Sequence, residues 1–161
     1  MITLTSTRFG ELEIDEADII TFPAGIPGFE DKRHWILVGD DDNAIMWMHS
    51  TEDGELALPV TTPDSVKSDY NAQIPREALE PIGDVMEGDV SILIVITIPP
   101  NRPWDMTANL KAPIVVNRAN RTAMQTIALN DDYDFRWQVL EEEMRDRMRE
   151  QAAAAAAEAE E

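Results

Sequence analysis

Residues 106–117 read M-T-A-N-L-K-A-P-I-V-V-N, and they follow a long apolar run at 90–98, V-S-I-L-I-V-I-T-I, across a loop carrying Pro99, Pro100 and Pro103. The apolar run is nearly all β-branched, and such side chains suit a pleated surface. It therefore reads as a central strand, buried on both faces or strongly curved. In the stretch after the prolines, Leu110, Ile114 and Val116 have core character, and Pro113 counts among its structural positions. Asn109 and Asn117 are suited to bond backbone groups at strand ends. The stretch reads as structure first and as a contact surface second.

Working outward, short strands separated by turns fill the first 130 residues. Ile2 and Leu4 alternate with Thr3 and Thr5, and Phe9, Leu12 and Ile14 flank Gly10 and Glu11, which suggests a hairpin. Ile19, Ile20 and Phe22 come next. Further strands are expected at 34–38 and 45–48, the latter entered through the turn Gly39, Asp40, Asp41, Asp42, Asn43. Leu56, Leu58 and Val60 alternate with Ala57, Pro59 and Thr61, and Pro59 suggests an edge or a bulge. Strands at 114–116 and 124–129 are joined by a turn at 117–122. One short helix is expected at 75–82, with Pro75 in its first turn. Short strands at this spacing imply a sandwich or barrel. The fold class is mostly β: a small antiparallel barrel-like domain over 1–140, with a C-terminal helix.

The tail, 141–161, differs in kind. Glu141/Arg145 and Glu143/Arg147 stand at i,i+4 spacing, and Ala152 opens a run of alanines ending at Ala157. This favours a helix. Its apolar stripe is narrow (Leu140, Met144, Met148), so it either docks weakly or projects into solvent, with a frayed end. Just before it, Phe135, Trp137 and Val139 alternate as one further strand would. No internal repeat is evident.

The 161 residues are 43% hydrophobic and contain no cysteine, so the length suits one domain with its own core and excludes disulfides and thiolate metal sites. No run is long enough to cross a membrane, and the N-terminus M-I-T-L-T-S-T-R lacks a signal-peptide layout. These features fit a cytoplasmic protein. Thirteen Lys and Arg oppose 32 Asp and Glu, a formal charge of -19. Such a surface repels phosphate backbones and speeds encounter with basic proteins. Solubility, or adaptation to a salty cytoplasm, explains the same charge equally well.

Catalytic chemistry finds no support. His34 and His49 have no second ligand at metal spacing, and both read as structural residues. Asp40, Asp41 and Asp42 lack the remainder of a calcium loop and read as a solvated turn. Ser50 sits in no G-x-S-x-G, and its chain neighbour His49 is badly placed as its base. Neither a phosphate-binding nor a dinucleotide-binding glycine motif occurs.

The segment 22–31, F-P-A-G-I-P-G-F-E-D, is the candidate binding loop. Gly25, Pro27 and Gly28 build a tight turn. Phe29 either plugs the end of the barrel or anchors a partner. Glu30 and Asp31 beside it suit a basic partner.

Taken in order, these motifs resemble the flagellar assembly factor FliW family over about residues 1–140. The resemblance is carried by F-P-A-G-I-P-G-F-E-D, by M-H-S-T-E-D at 48–53, by the run ending I-T-I-P, by M-T-A-N-L-K-A-P-I-V-V-N and by Gln125. His49 stands where the family more often has Gln, and Ala108 where a β-branched residue is usual. The Ala-rich tail is atypical. The resemblance implies a barrel-like protein, monomeric when free, without cofactor or enzymatic residues. It implies binding to flagellin and to CsrA, a basic RNA-binding repressor of flagellin translation, with no direct contact to nucleic acid or membrane. A flagellin-only export chaperone is the alternative, and a hydrolase or metal enzyme hidden among the carboxylates is the third reading.

Overall fold

The computed structural model describes residues 2–39, 45–83 and 87–159. The Asp40, Asp41, Asp42 turn and the terminal Glu160 and Glu161 lie outside the described residues. In chain order the strands are β1 (Ile2–Ser6), β2 (Gly10–Ile14), β3 (Ile20–Thr21), β4 (His34–Val38), β5 (Ile45–Ser50), β6 (Ala57–Thr61) and β7 (Val90–Thr97). They continue as β8 (Thr107–Ala108), β9 (Ile114–Asn117), β10 (Thr122–Gln125) and β11 (Trp137–Gln138), and the helix α1 (Glu142–Ala159) ends the described chain.

Seven strands close a barrel in the order β7, β6, β5, β4, β3, β10, β9 and back to β7. Neighbours are antiparallel except at one joint, where β10 meets β3 in parallel through Thr122 and Thr21. Closure removes the exposed sheet edges that an open sheet would offer to other chains. β1 and β2 form the expected hairpin, from Ile2↔Ile14 to Ser6↔Gly10. It is tied to the barrel at His49, which is fully buried. His49 Nδ1 donates to the Ser50 carbonyl (2.7 Å), so Nε2 accepts from the Ser6 hydroxyl (2.8 Å), which itself accepts from the Phe9 N–H (3.1 Å).

The apolar run is buried on both faces, as its composition implies. From β7, Leu93 and the half-buried Val95 face the barrel interior with Phe22, Trp35, Met48 and Val60. Ile94 and Ile96 face a second cluster with Ala108, Leu110 and Tyr133. Each such side chain contributes about 1.5–3 kcal/mol on full burial. The stretch 106–117 runs antiparallel to β7 and passes from one core to the other. Ala108 and Leu110 belong to the second cluster, Ile114 and Val116 to the barrel interior. The crossing is the kink between β8 and β9. There Asn109 donates its N–H to the Val95 carbonyl (2.9 Å), while its Oδ1 accepts from the Ala112 N–H (2.9 Å). Pro113 has no N–H to lose in the break. Asn117 Nδ2 donates to the Ile82 carbonyl (3.0 Å), and its Oδ1 accepts from the Ala119 N–H (3.1 Å). Both asparagines thus serve strand ends.

Three local expectations need correction, while the short helix expected at 75–82 is present. Pro59 is not on an edge strand, because β6 lies between β5 and β7; β7 pairs only with Val60 and Thr61, so Pro59 meets a partner on the β5 side alone. The segment at 75–82 is a 3-10 helix, Arg76–Ile82, preceded by Pro75. Pro81 inside it lacks the N–H an α-helix would use. The strand expected at 124–129 is β10 and stops at Gln125. Thr126 and Ala128 keep its register, donating to the Pro113 and Lys111 carbonyls (3.1 and 2.8 Å), but their partner is the kinked segment. The strand around Trp137 pairs with β8 at Trp137 and Gln138 only, and Phe135 stays 55% exposed.

α1 forms where the alanines and charges place it, and it remains helical through Ala159. Its expected internal ion pairs do not form. Arg145 instead reaches the body, pairing with Asp105 at 2.7 Å. The guanidinium's hydrogen bond holds the Asp105 carboxyl below its ordinary range. Of the stripe, Leu140 and Met148 are half-buried, and Met144 is exposed.

Candidate functional site

The loop between β3 and β4 carries residues 22–31, and backbone bonds hold it tightly. Phe22 donates to the Arg33 carbonyl (2.7 Å), Gly25 to that of Phe22 (2.9 Å), Phe29 to that of Ile26 (2.7 Å) and Lys32 to that of Phe29 (3.0 Å). Trp35 locks the exit, its Nε1 donating to the Lys32 carbonyl (2.9 Å). Gly25 has φ +71, and a Cβ there would lie 2.6 Å from the Glu30 Cα. Only glycine allows the two arms of the loop to approach so closely.

Phe29 is half-buried and packs against the barrel core, with Ile26 beside it. Its ring is tied to the interior, and its neighbours carry the exposed chemistry. Glu30 and Asp31 are both exposed. Glu30 Oε1 accepts the Gly28 N–H (3.1 Å), and Asp31 pairs loosely with Lys32 (3.5 Å). At the loop exit Glu52 Oε1 accepts from the backbone of Arg33 and His34 and from His34 Nδ1 (2.8 Å). The His34 hydrogen bond, with those backbone donors, lowers the Glu52 carboxyl below its usual range. His34 therefore has a surface structural role, as expected, and His49 a buried one. Ser50 Oγ accepts N–H groups from Glu52 and Asp53 (3.0 and 3.1 Å), a turn-building role.

Beside the loop lies an open cleft of about 140 Å³, lined by Pro23, Ala24, Gly25, Pro27, Glu30, Pro81, Met124 and Gln125. The parallel joint of β3 with β10 brings Met124 and Gln125 next to a loop a hundred residues earlier in the chain. Spacing along the sequence holds no signal for that meeting. Of the motif residues, Asn109, Leu110 and Pro113 lie at the kink and Asn117 at the far end of β9, and none of them lines the cleft. Among the described residues no group of three or more His, Cys, Asp or Glu is arranged to hold a metal ion. No helix among them is long and apolar enough to cross a membrane.

Comparison with known proteins completes the description. The FliW protein family matches residues 3–139. The chain belongs to the FliW family. Among its relatives, the flagellar assembly factor FliW of Thermotoga maritima is 42% identical over 137 residues, covering 84% of this chain and 92% of the relative. The FliW of Alkaliphilus metalliredigens is 35% identical over 141 residues, 86% of each. A crystal structure of the flagellar assembly factor FliW superposes with a TM-score of 0.80 at 29% identity, covering 88% of this chain and 99% of that one. The family match ends at residue 139, and α1 begins after it at Glu142.

Proposed function

We propose that this protein is a non-enzymatic, cytoplasmic flagellar assembly factor. It binds flagellin and a CsrA-type translational repressor, and by holding the repressor it relieves repression of flagellin translation. The observation that carries the reading is the internally hydrogen-bonded 22–31 loop, which presents Glu30 and Asp31 beside an anchored Phe29 on a chain of formal charge -19. A basic RNA-binding protein is the complement of such a surface. Membership in the FliW family supports the flagellar role. Calorimetry of the purified chain against flagellin and against the repressor of the same bacterium tests the proposal. Binding to both, with repressor displaced from RNA, is the expected result. Binding to flagellin alone leaves the export-chaperone reading, and binding to neither refutes both.

A further inference from the structure

The cleft beside Glu30 is too small for a cofactor. Its volume of about 140 Å³ lies below the roughly 300–1,000 Å³ of small-molecule sites. It is the size of one side chain. Its walls are mostly hydrocarbon, from Pro23, Ala24, Pro27, Pro81 and Met124. Its polar ends are the Glu30 carboxylate and the Gln125 amide. Glu30 uses Oε1 for the Gly28 N–H, which leaves Oε2. Gln125 uses one amide N–H on the Ala112 carbonyl (2.9 Å), which leaves its oxygen and its second N–H. An occupant that suits the Glu30 carboxylate and the apolar walls combines an aliphatic stem with a cationic, hydrogen-bond-donating head. Lysine and arginine are the side chains built that way. A carboxylate would be repelled by Glu30, and a plain aliphatic chain would give its charge no partner.

We infer that this cleft is a socket for one lysine or arginine side chain presented by a protein partner. The inference deepens the proposed function and rests on it for the partner. The close approach of Gly25 places the Glu30 backbone, and the Gly28 N–H holds one carboxylate oxygen at the cleft. The socket assigns Glu30 and Gln125 as the specific contacts and leaves Asp31, outside the cleft, to long-range attraction.

The test is an NMR titration of the full chain with the amides of Nα-acetyl-lysine, Nα-acetyl-arginine and Nα-acetyl-norleucine. Saturable shifts at Gly25 and the Gln125 side-chain amide are expected with the two basic probes, about tenfold weaker with norleucine. Glu30→Gln keeps the acceptor for Gly28 and removes the charge, and it should abolish the preference for basic probes. Ala24→Leu should fill the cleft and abolish all three responses. Shifts spread over the whole acidic surface and indifferent to Glu30→Gln would overturn the socket, as would none at all. Calorimetry with flagellin and with the repressor separates the two claims. If a partner binds the wild type and both variants equally, the socket falls and the assembly-factor reading stands. If neither partner binds the wild type, that reading falls, and the probe titration alone judges the socket.

Discussion

Replacing Gly25 with alanine should damage this protein more than the same change at Gly28, three residues away. Both glycines have positive φ, +71 and +92, so alanine at either is strained by about 1–3 kcal/mol. The surroundings differ. A Cβ at Gly28 meets nothing within 4 Å, whereas one at Gly25 falls 2.6 Å from Glu30 Cα, 2.7 Å from its carbonyl oxygen and 2.8 Å from its carbonyl carbon. These are backbone atoms and cannot swing aside, so the loop must open, at an overpacking cost of about 1–3 kcal/mol. Gly25→Ala should therefore be the less stable by that second amount. Urea denaturation followed by tryptophan fluorescence measures it. With a slope of about 1–3 kcal/mol per molar for a small domain, the two midpoints should differ by roughly 1 M. Equal midpoints would refute the close approach of Gly25 to Glu30, and with it the placement of the Glu30 backbone at the cleft.

Leu110→Ala, which empties a fully buried position in the second cluster, should cost about 2–5 kcal/mol in the same assay. Truncation after Leu140 should leave a β-dominated circular dichroism spectrum and cost under about 1 kcal/mol, because a partly exposed ion pair to Asp105, which Arg102 also approaches, holds α1 to the body; a larger fall would mean that Met148 packs more firmly than its half-burial indicates. Arg145 lowers the Asp105 carboxyl when folded, so this pair's contribution is complete above the ordinary carboxylate range and lost as pH falls through the depressed value; Asp105→Asn should remove that acid dependence, read as the pH profile of the urea midpoint. Charge reversal of Glu30 and Asp31 to Lys should slow association with a CsrA-type repressor in stopped-flow mixing more than reversal of Glu142 and Glu143, and salt should slow the wild type once the screening length falls below about 8 Å.

Much of the fold could be read from local rules. The β-branched run at 90–98 announced a strand with two buried faces, and β7 does separate two clusters. The alternation at 2–14 announced the hairpin, and the alanines with their flanking charges announced α1. Long-range partners were a different matter. The rule that proline marks an edge misplaced Pro59, because a strand partner can cover part of a strand and leave the rest. Helix-surface spacing suggested Arg145 with Glu141, but tertiary placement offered Asp105. Alternation put Phe135 on the face of Trp137, yet pairing begins only at Trp137. The 22–31 loop was legible through its glycines and acids. The far wall of its cleft was not, since Pro81, Met124 and Gln125 arrive by barrel closure and by no periodicity.

The single parallel joint also governs the order of events on the ribosome. Thr21 donates its N–H to the Arg121 carbonyl at 2.9 Å, and Arg121 reaches back to the Asp18 carbonyl at 2.6 Å. The seam that seals the barrel therefore needs residues about a hundred positions apart, and closing so long a loop is an entropic cost met late. Until β10 has left the exit tunnel, β3 has one unpaired edge and the interior is open on that side. A chain ending before Thr122 would then display the hydrophobic faces of β4, β5 and β6, whereas one released from the ribosome after Leu140 could shut. Synthesis must therefore carry the chain well past β10 before the molecule can protect itself.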